Sequence, residues 1–129
     1  MTRVIIGIGS NHHAESAVAK AKALVEASFG KVAYSHAAYT EPVDIDSDKF
    51  LNVLALATTD LDTEAIDRIL KQIERECGNT QALRQQNIVA ADLDILLYGE
   101  QRLHLKDWKR AYVMEMYKEL ENKQLQHSK

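Results

Sequence analysis

Apolar residues fall along this chain in two rhythms, compact β-branched runs and spacings of three to four, and the two alternate. RVIIGIG (3–9) is a β-branched run and predicts a buried strand. HHAESAVAKAKALVEASFG (12–30) predicts a helix, with Val18, Leu24, Val25 and Phe29 near helical spacing, Asn11 as its cap and Gly30 as its end. KVAYSHAAYT (31–40) alternates small and aromatic residues in strand fashion. EPVDIDSD (41–48) holds the only proline and four acids and reads as a loop, and KFLNVLALATT (49–59) as the next strand. DLDTEAIDRILKQIERECGN (60–79) is the clearest helix. Asp62 or Thr63 can cap it, Ile66, Ile69, Leu70 and Ile73 form its stripe, and Gly78 ends it. NTQALRQQNIVA (79–90) is polar at first and predicts no definite element, whereas ADLDILLYG (91–99) predicts a strand. LKDWKRAYVMEMYKELENKQLQ (105–126) spaces Trp108, Ala111, Tyr112, Met116 and Leu120 at helical intervals, with a tail over about 124–129 expected to fray.

The resulting order is β-α-β-β-α-β-α. Two strands follow one another without an intervening helix, which favours antiparallel pairing and an α+β sandwich of ferredoxin-like type closed by a C-terminal helix. At 129 residues the chain is expected to form one domain, 1–129, with a single hydrophobic core. A formal net charge of −3 excludes a global field for nucleic acid or an anionic membrane, so a polyanionic ligand would need a local basic cluster or a metal. Cys77 is the single cysteine, which excludes an intrachain disulfide and fits a reducing compartment. The apolar part of the N-terminus is too short for a signal peptide or a membrane span, and a cytoplasmic setting is expected. Scattered apolar residues define no subunit interface.

The feature that changes this picture is the pair of acids in ADLDILLYG. Side chains alternate in a strand, so Asp92 and Asp94 should share one face and Leu93, Ile95 and Leu97 the other. The carboxylates would then stand about 6.5–7 Å apart along the strand, a separation suited to two divalent cations about 3.5–4 Å apart. Mg²⁺ takes oxygen ligands, keeps waters, and commonly binds through one or two carboxylates plus substrate phosphates. An edge strand with two solvated surface charges is the other reading, and the spacing alone does not choose between them.

IIGIGSN (5–11), FLNVLAL (50–56), DLDILLYG (92–99) and RAYVM (110–114) follow in that order, and together they resemble the 6-hydroxymethyl-7,8-dihydropterin pyrophosphokinase family. The likeness runs from residue 4 to about residue 120. It implies a ferredoxin-like sandwich and the Mg²⁺-dependent transfer of diphosphate from ATP to 6-hydroxymethyl-7,8-dihydropterin in folate biosynthesis. It implies Asp92 and Asp94 as the catalytic pair holding two Mg²⁺ ions on the ATP phosphates, with His104 and Arg110 contacting phosphate. It further implies Pro42, Phe50 and Asn52 around the pterin, Tyr112 stacked on it, and Glu74 supporting the site from behind. The partners implied are these small molecules, with neither nucleic acid nor membrane.

The chain departs from the family at several places. The arginine-rich loop that closes over ATP corresponds to 79–90, where Arg84 is the one basic residue, and Val89 stands where an arginine is usual. Glu41 replaces a threonine before Pro42, Leu103 a proline, and His12–His13 a leucine–glycine; the chain also stops soon after its last helix, where family members continue. These changes define the alternative, a non-catalytic or repurposed homologue binding a pterin or nucleotide. His12 and His13 are expected to point apart in an exposed first helical turn. Cys77 reads as a small buried side chain, Trp108 as packing, and Tyr112 equally as a core aromatic.

Overall fold

The computed structural model describes residues 1–42 and 45–127, the side chains of 124–127 excepted. Asp44 of the acidic loop, and residues 128–129 of the tail expected to fray over about 124–129, lie outside this description. The elements are β1 (Thr2–Ser10), α1 (Ala14–Phe29), β2 (Ala33–Tyr34), β3 (Ala38–Thr40), β4 (Phe50–Thr59), α2 (Thr63–Glu76), α3 (Gln81–Gln85), β5 (Asp92–Tyr98), β6 (Gln101–Arg102) and α4 (Ala111–His127). A 3-10 turn at Asp107–Lys109 precedes α4.

The six-stranded sheet runs β2-β4-β1-β5-β6, with β3 also paired to β4, and every pairing is antiparallel. This is the α+β ferredoxin-like arrangement expected from the element order. The β-branched run of β1 explains its central place, because both of its faces are covered. Val4, Ile6 and Ile8 pack with Val18, Ala21 and Val25 of α1 and with Ile66, Leu70 and Ile73 of α2. Ile5, Leu54, Leu96, Leu97, Val113, Met116 and Leu120 form a second cluster under α4. Helices thus cover both faces of one sheet. Asp62 caps α2 by accepting the Ala65 N–H at 2.8 Å, and Gly78, at φ +97°, lies just past the helix where a left-handed residue is needed.

Four local expectations are corrected. The strand expected over 31–40 is two short strands, because one extra residue enters between Tyr34↔Ala55 and Ala38↔Asn52. At this bulge Ser35 turns its Oγ inward to accept the Leu54 N–H at 2.9 Å. Leu97 does not share a face with Leu93 and Ile95. The register jumps from Ile6↔Ile95 to Ile5↔Leu97, so Leu96 is inserted and Leu97 turns towards α4. Asn11 does not cap α1: His13 occupies the cap position at φ +46° with no side-chain cap, and the Asn11 amide is engaged elsewhere. His12 and His13 do not point apart, their ring centroids lying 4.2 Å from each other.

The helix expected from residue 105 begins at Ala111. Before it, Trp108 is buried and its indole N–H is shared by the carbonyls of Leu96 (3.0 Å) and Leu103 (3.1 Å). Those bonds hold the 3-10 turn against the inserted residue of β5 and leave Arg110 extended at the junction. Trp108→Phe should therefore cost about 1 kcal/mol, because the Leu103 carbonyl loses the indole donor, while the Leu96 carbonyl keeps the Leu103 N–H at 2.9 Å and most of the packing stays. Denaturant unfolding would measure this, and an unchanged midpoint would show that the bonds contribute nothing.

Candidate active site

The register of the sheet builds the site. Gly9 of β1 lies between Asn52 of β4 and Asp92 of β5, and Gly7 lies between Leu54 and Asp94. Both glycines fall on the α4 face, the one that carries Ile5. With no side chain there, the central strand becomes the floor of a trough joining β4 to the two aspartates. A methyl group on Gly9 would sit 2.7 Å from Asn52 Oδ1, and one on Gly7 would sit 3.1 Å from Leu96 Cδ1. A glycine that interrupts a strand often marks such a close approach.

The resulting cleft has a volume of about 360 Å³, within the ordinary range for small-molecule sites. Pro42, Phe50 and Asn52 line one end, Asp92 and Asp94 the other, and Arg110 and Tyr112 reach in from the start of α4. Asn52 is oriented by donating from Nδ2 to Thr40 Oγ1 at 2.6 Å. Tyr112 has both of the places considered for it, since it lines the cleft and also packs against the cluster under α4. His104 is not among the residues that line the cleft; at φ +52° it holds Nε2 3.9 Å from Asp94 Oδ1. Arg110 pairs with Asp107 at 3.3 Å and donates to the Tyr112 hydroxyl at 3.5 Å.

Glu74 sits behind the aspartate strand. Its carboxylate is buried and accepts the Leu93 N–H at 2.8 Å, between the two acids on the strand's open edge. Its other oxygen lies 3.5 Å from Lys71 and 3.9 Å from Arg84. Asp94 is the perturbed acid of the cleft: burial first, then the neighbouring Asp92 charge, pushes its carboxyl up to about 6, against the opposing pull of His104. Two carboxylates that resist simultaneous ionisation suit a divalent cation, which removes that conflict. Among the described residues no group of three or more His, Cys, Asp or Glu side chains could hold an ion. Water and substrate oxygens would have to complete the shell, as Mg²⁺ permits.

Matching against family models finds the 7,8-dihydro-6-hydroxymethylpterin-pyrophosphokinase family over residues 5–122. The chain belongs to this family. It is 32% identical over 84 residues to the Folate synthesis bifunctional protein of Arabidopsis thaliana. It is 33% identical over 84 residues to that plant's Folate synthesis bifunctional protein, mitochondrial. Each match covers 58% of this chain but 17% and 15%, respectively, of those relatives, so the chain spans less than a fifth of their length. De novo designed protein Foldit4, a solved structure, is similar at a TM-score of 0.40 and 16% identity over 78% of this chain and 98% of that one. That likeness is too slight to carry an argument.

Within this pyrophosphokinase family the departures now have positions. The 79–90 stretch contains α3, capped by Thr80 and carrying Arg84. Its return to the sheet is held by two asparagine side chains. Asn11 accepts the Val89 N–H at 2.7 Å and donates to the Asn87 carbonyl at 2.8 Å. Asn79 accepts the Ala90 N–H at 2.8 Å and donates to the Ala91 carbonyl. Val89, where an arginine was expected, is buried. Reading the sequence missed Gly7, Gly9, Thr40, Arg84, Asn11 and Asn79 as residues that shape the site. The two glycines left a signal as alternate gaps in a β-branched strand, and Arg84 left one as the single basic residue of 79–90. Cys77 is half-buried against the α1/α2 cluster, and burial pushes its thiol up, away from nucleophile chemistry.

Proposed function

We propose that this chain, as one pyrophosphokinase-like domain over 1–129, transfers diphosphate from ATP to 6-hydroxymethyl-7,8-dihydropterin with Mg²⁺. The observation that carries the reading is the trough over Gly7 and Gly9, which sets Asn52 and Tyr112 facing Asp92 and Asp94 in one cleft. Family membership supports a folate-pathway role, and ATP and Mg²⁺ belong to that family's chemistry. A cytoplasmic setting is part of the same reading. It draws on the lone cysteine and on the absence, among the described residues, of any helix long and apolar enough to cross a membrane.

Each group then has a task. Asn52, held by Thr40, presents its carboxamide to the polar edge of the heterocycle while Tyr112 offers a stacking face. Phe50 and Pro42 exclude water at that end. Arg110, steadied by Asp107, and His104 supply donors to phosphate oxygens. Asp92 and Asp94 would hold two Mg²⁺ ions, which when bound neutralise phosphate charge and align the attacking and leaving oxygens. The pterin hydroxyl oxygen bonds to the β-phosphorus and releases its proton to solvent, the bond from that phosphorus to the α–β bridging oxygen breaks, and AMP leaves carrying that oxygen. Glu74 keeps the aspartate strand in register throughout.

Coupled detection of AMP from ATP, Mg²⁺ and the pterin alcohol tests the reaction, and turnover dependent on all three is the expected result. The alternative, a binding homologue, draws on Arg84 being the one cation of 79–90. Pterin binding without AMP formation would establish it instead.

A further inference from the structure

Arg84 lies on α3 at the rim of the cleft, half-exposed, and its guanidinium spans two carboxylates from different elements. One nitrogen is 3.8 Å from Asp92 Oδ1 and 3.9 Å from Glu74 Oε1. The cap at Thr80 and the two asparagine clamps fix the stretch that carries it, so the contact is built in by the fold. Lys71 also reaches Glu74, and His104 approaches Asp94. Arg84 is thus paired with Asp92 from the α3 side.

We infer that Arg84 is a stand-in for the divalent cation: in the metal-free protein it balances Asp92 and Glu74, and metal entry displaces it into the cleft. The inference rests on the proposed Mg²⁺ role of Asp92. Its physics is competition between like charges for one carboxylate. A dication beside Asp92 weakens the attraction that holds the guanidinium there and repels it directly. Once displaced, Arg84 remains tethered to α3 at the cleft rim, where polyphosphate oxygens would accept its donors. One residue then acts with opposite signs on two ligands. It opposes the metal arriving alone and favours the metal arriving with a nucleotide, which makes ordered or joint loading the preferred route.

The test is direct binding, measured with Mn²⁺ as probe by electron paramagnetic resonance on the intact chain. Arg84→Gln should tighten Mn²⁺ binding without nucleotide by about two- to fivefold, the range of a half-exposed ion pair. The same variant should weaken binding of a non-hydrolysable ATP analogue in the presence of Mg²⁺, and Arg84→Lys should behave close to wild type in both assays. Melting temperature serves as the control for folding. If Arg84→Gln leaves Mn²⁺ affinity unchanged or weakens it while wild type binds the ion, the stand-in role is overturned and the metal site stands. If wild type binds no Mn²⁺ with or without nucleotide, the metal reading of Asp92 and Asp94 falls, and this inference falls with it.

Discussion

Asp94→Asn is expected to abolish diphosphate transfer and, in the metal-free protein, to raise the melting temperature. The loss should be on the order of 10³-fold or more, because in the proposed reaction this carboxylate organises phosphate charge in the transition state and has no neutral substitute. The gain in stability has a separate cause. Asp94 is held up to about 6 by burial and by Asp92, so at neutral pH its ionised form costs the folded chain free energy that the unfolded chain avoids. With its side chain about a third exposed (33%), solvent screening reduces that cost to about 1 kcal/mol, or about 2–6 °C. The sign follows from proton uptake. Between pH 3.8 and about 6 the folded state holds a proton that the unfolded state has lost. The variant's advantage should therefore be complete above pH 6, shrink through that window and vanish below it. Calorimetric melts of both proteins at pH 7.5 and 4, in about 1 mM chelator to keep metal away, would read this. A variant that loses activity but melts lower at every pH would contradict the electrostatic account.

Gly9→Ala is expected to damage the end of the cleft proposed to take the pterin while leaving the fold in place. The added methyl would lie 2.7 Å from Asn52 Oδ1, a side-chain atom that can rotate away, so the strand itself need not move. Rotation would break the 2.6 Å bond to Thr40 and aim the carboxamide out of the trough. Affinity for the pterin alcohol should fall roughly 10–100-fold, the scale of a lost directional contact that leaves a buried polar edge unpaired. Stability should change by no more than about 1 kcal/mol. Because both substitutions act through one carboxamide, Gly9→Ala with Asn52→Ala should bind little worse than Asn52→Ala alone. Fluorescence titration of the pterin against the three variants tests this, and fully additive losses would mean that Gly9 acts through something other than Asn52.

Much of this was legible along the chain, for identifiable reasons. The β-branched run at 3–9, the amphipathic stripe of 60–79 and its cap at Asp62 follow from periodicity and local hydrogen bonding, which need no distant partner. The shared face of Asp92 and Asp94 follows from strand alternation, and the motif order disclosed the family. Insertions were not legible. A bulge at Ser35 or Leu96 adds a residue without changing composition, and only the facing strand reveals that the count is off by one. The roles of Asn11 and Asn79 were hidden for a related reason: each bonds backbone far along the chain or across a turn, while the nearest use for Asn11 was a helix cap.

The sequence by itself determined which residues are available for chemistry and which faces of the strands must be dry, because both depend on neighbours within a few positions. The tertiary structure decided that Asn52 and Asp92, forty positions apart, flank the same glycine, and that Arg84 meets Asp92 and Glu74 together. Cross-strand register and long-range ion pairs are set by how the entire sheet packs between its helices, and no local pattern encodes that.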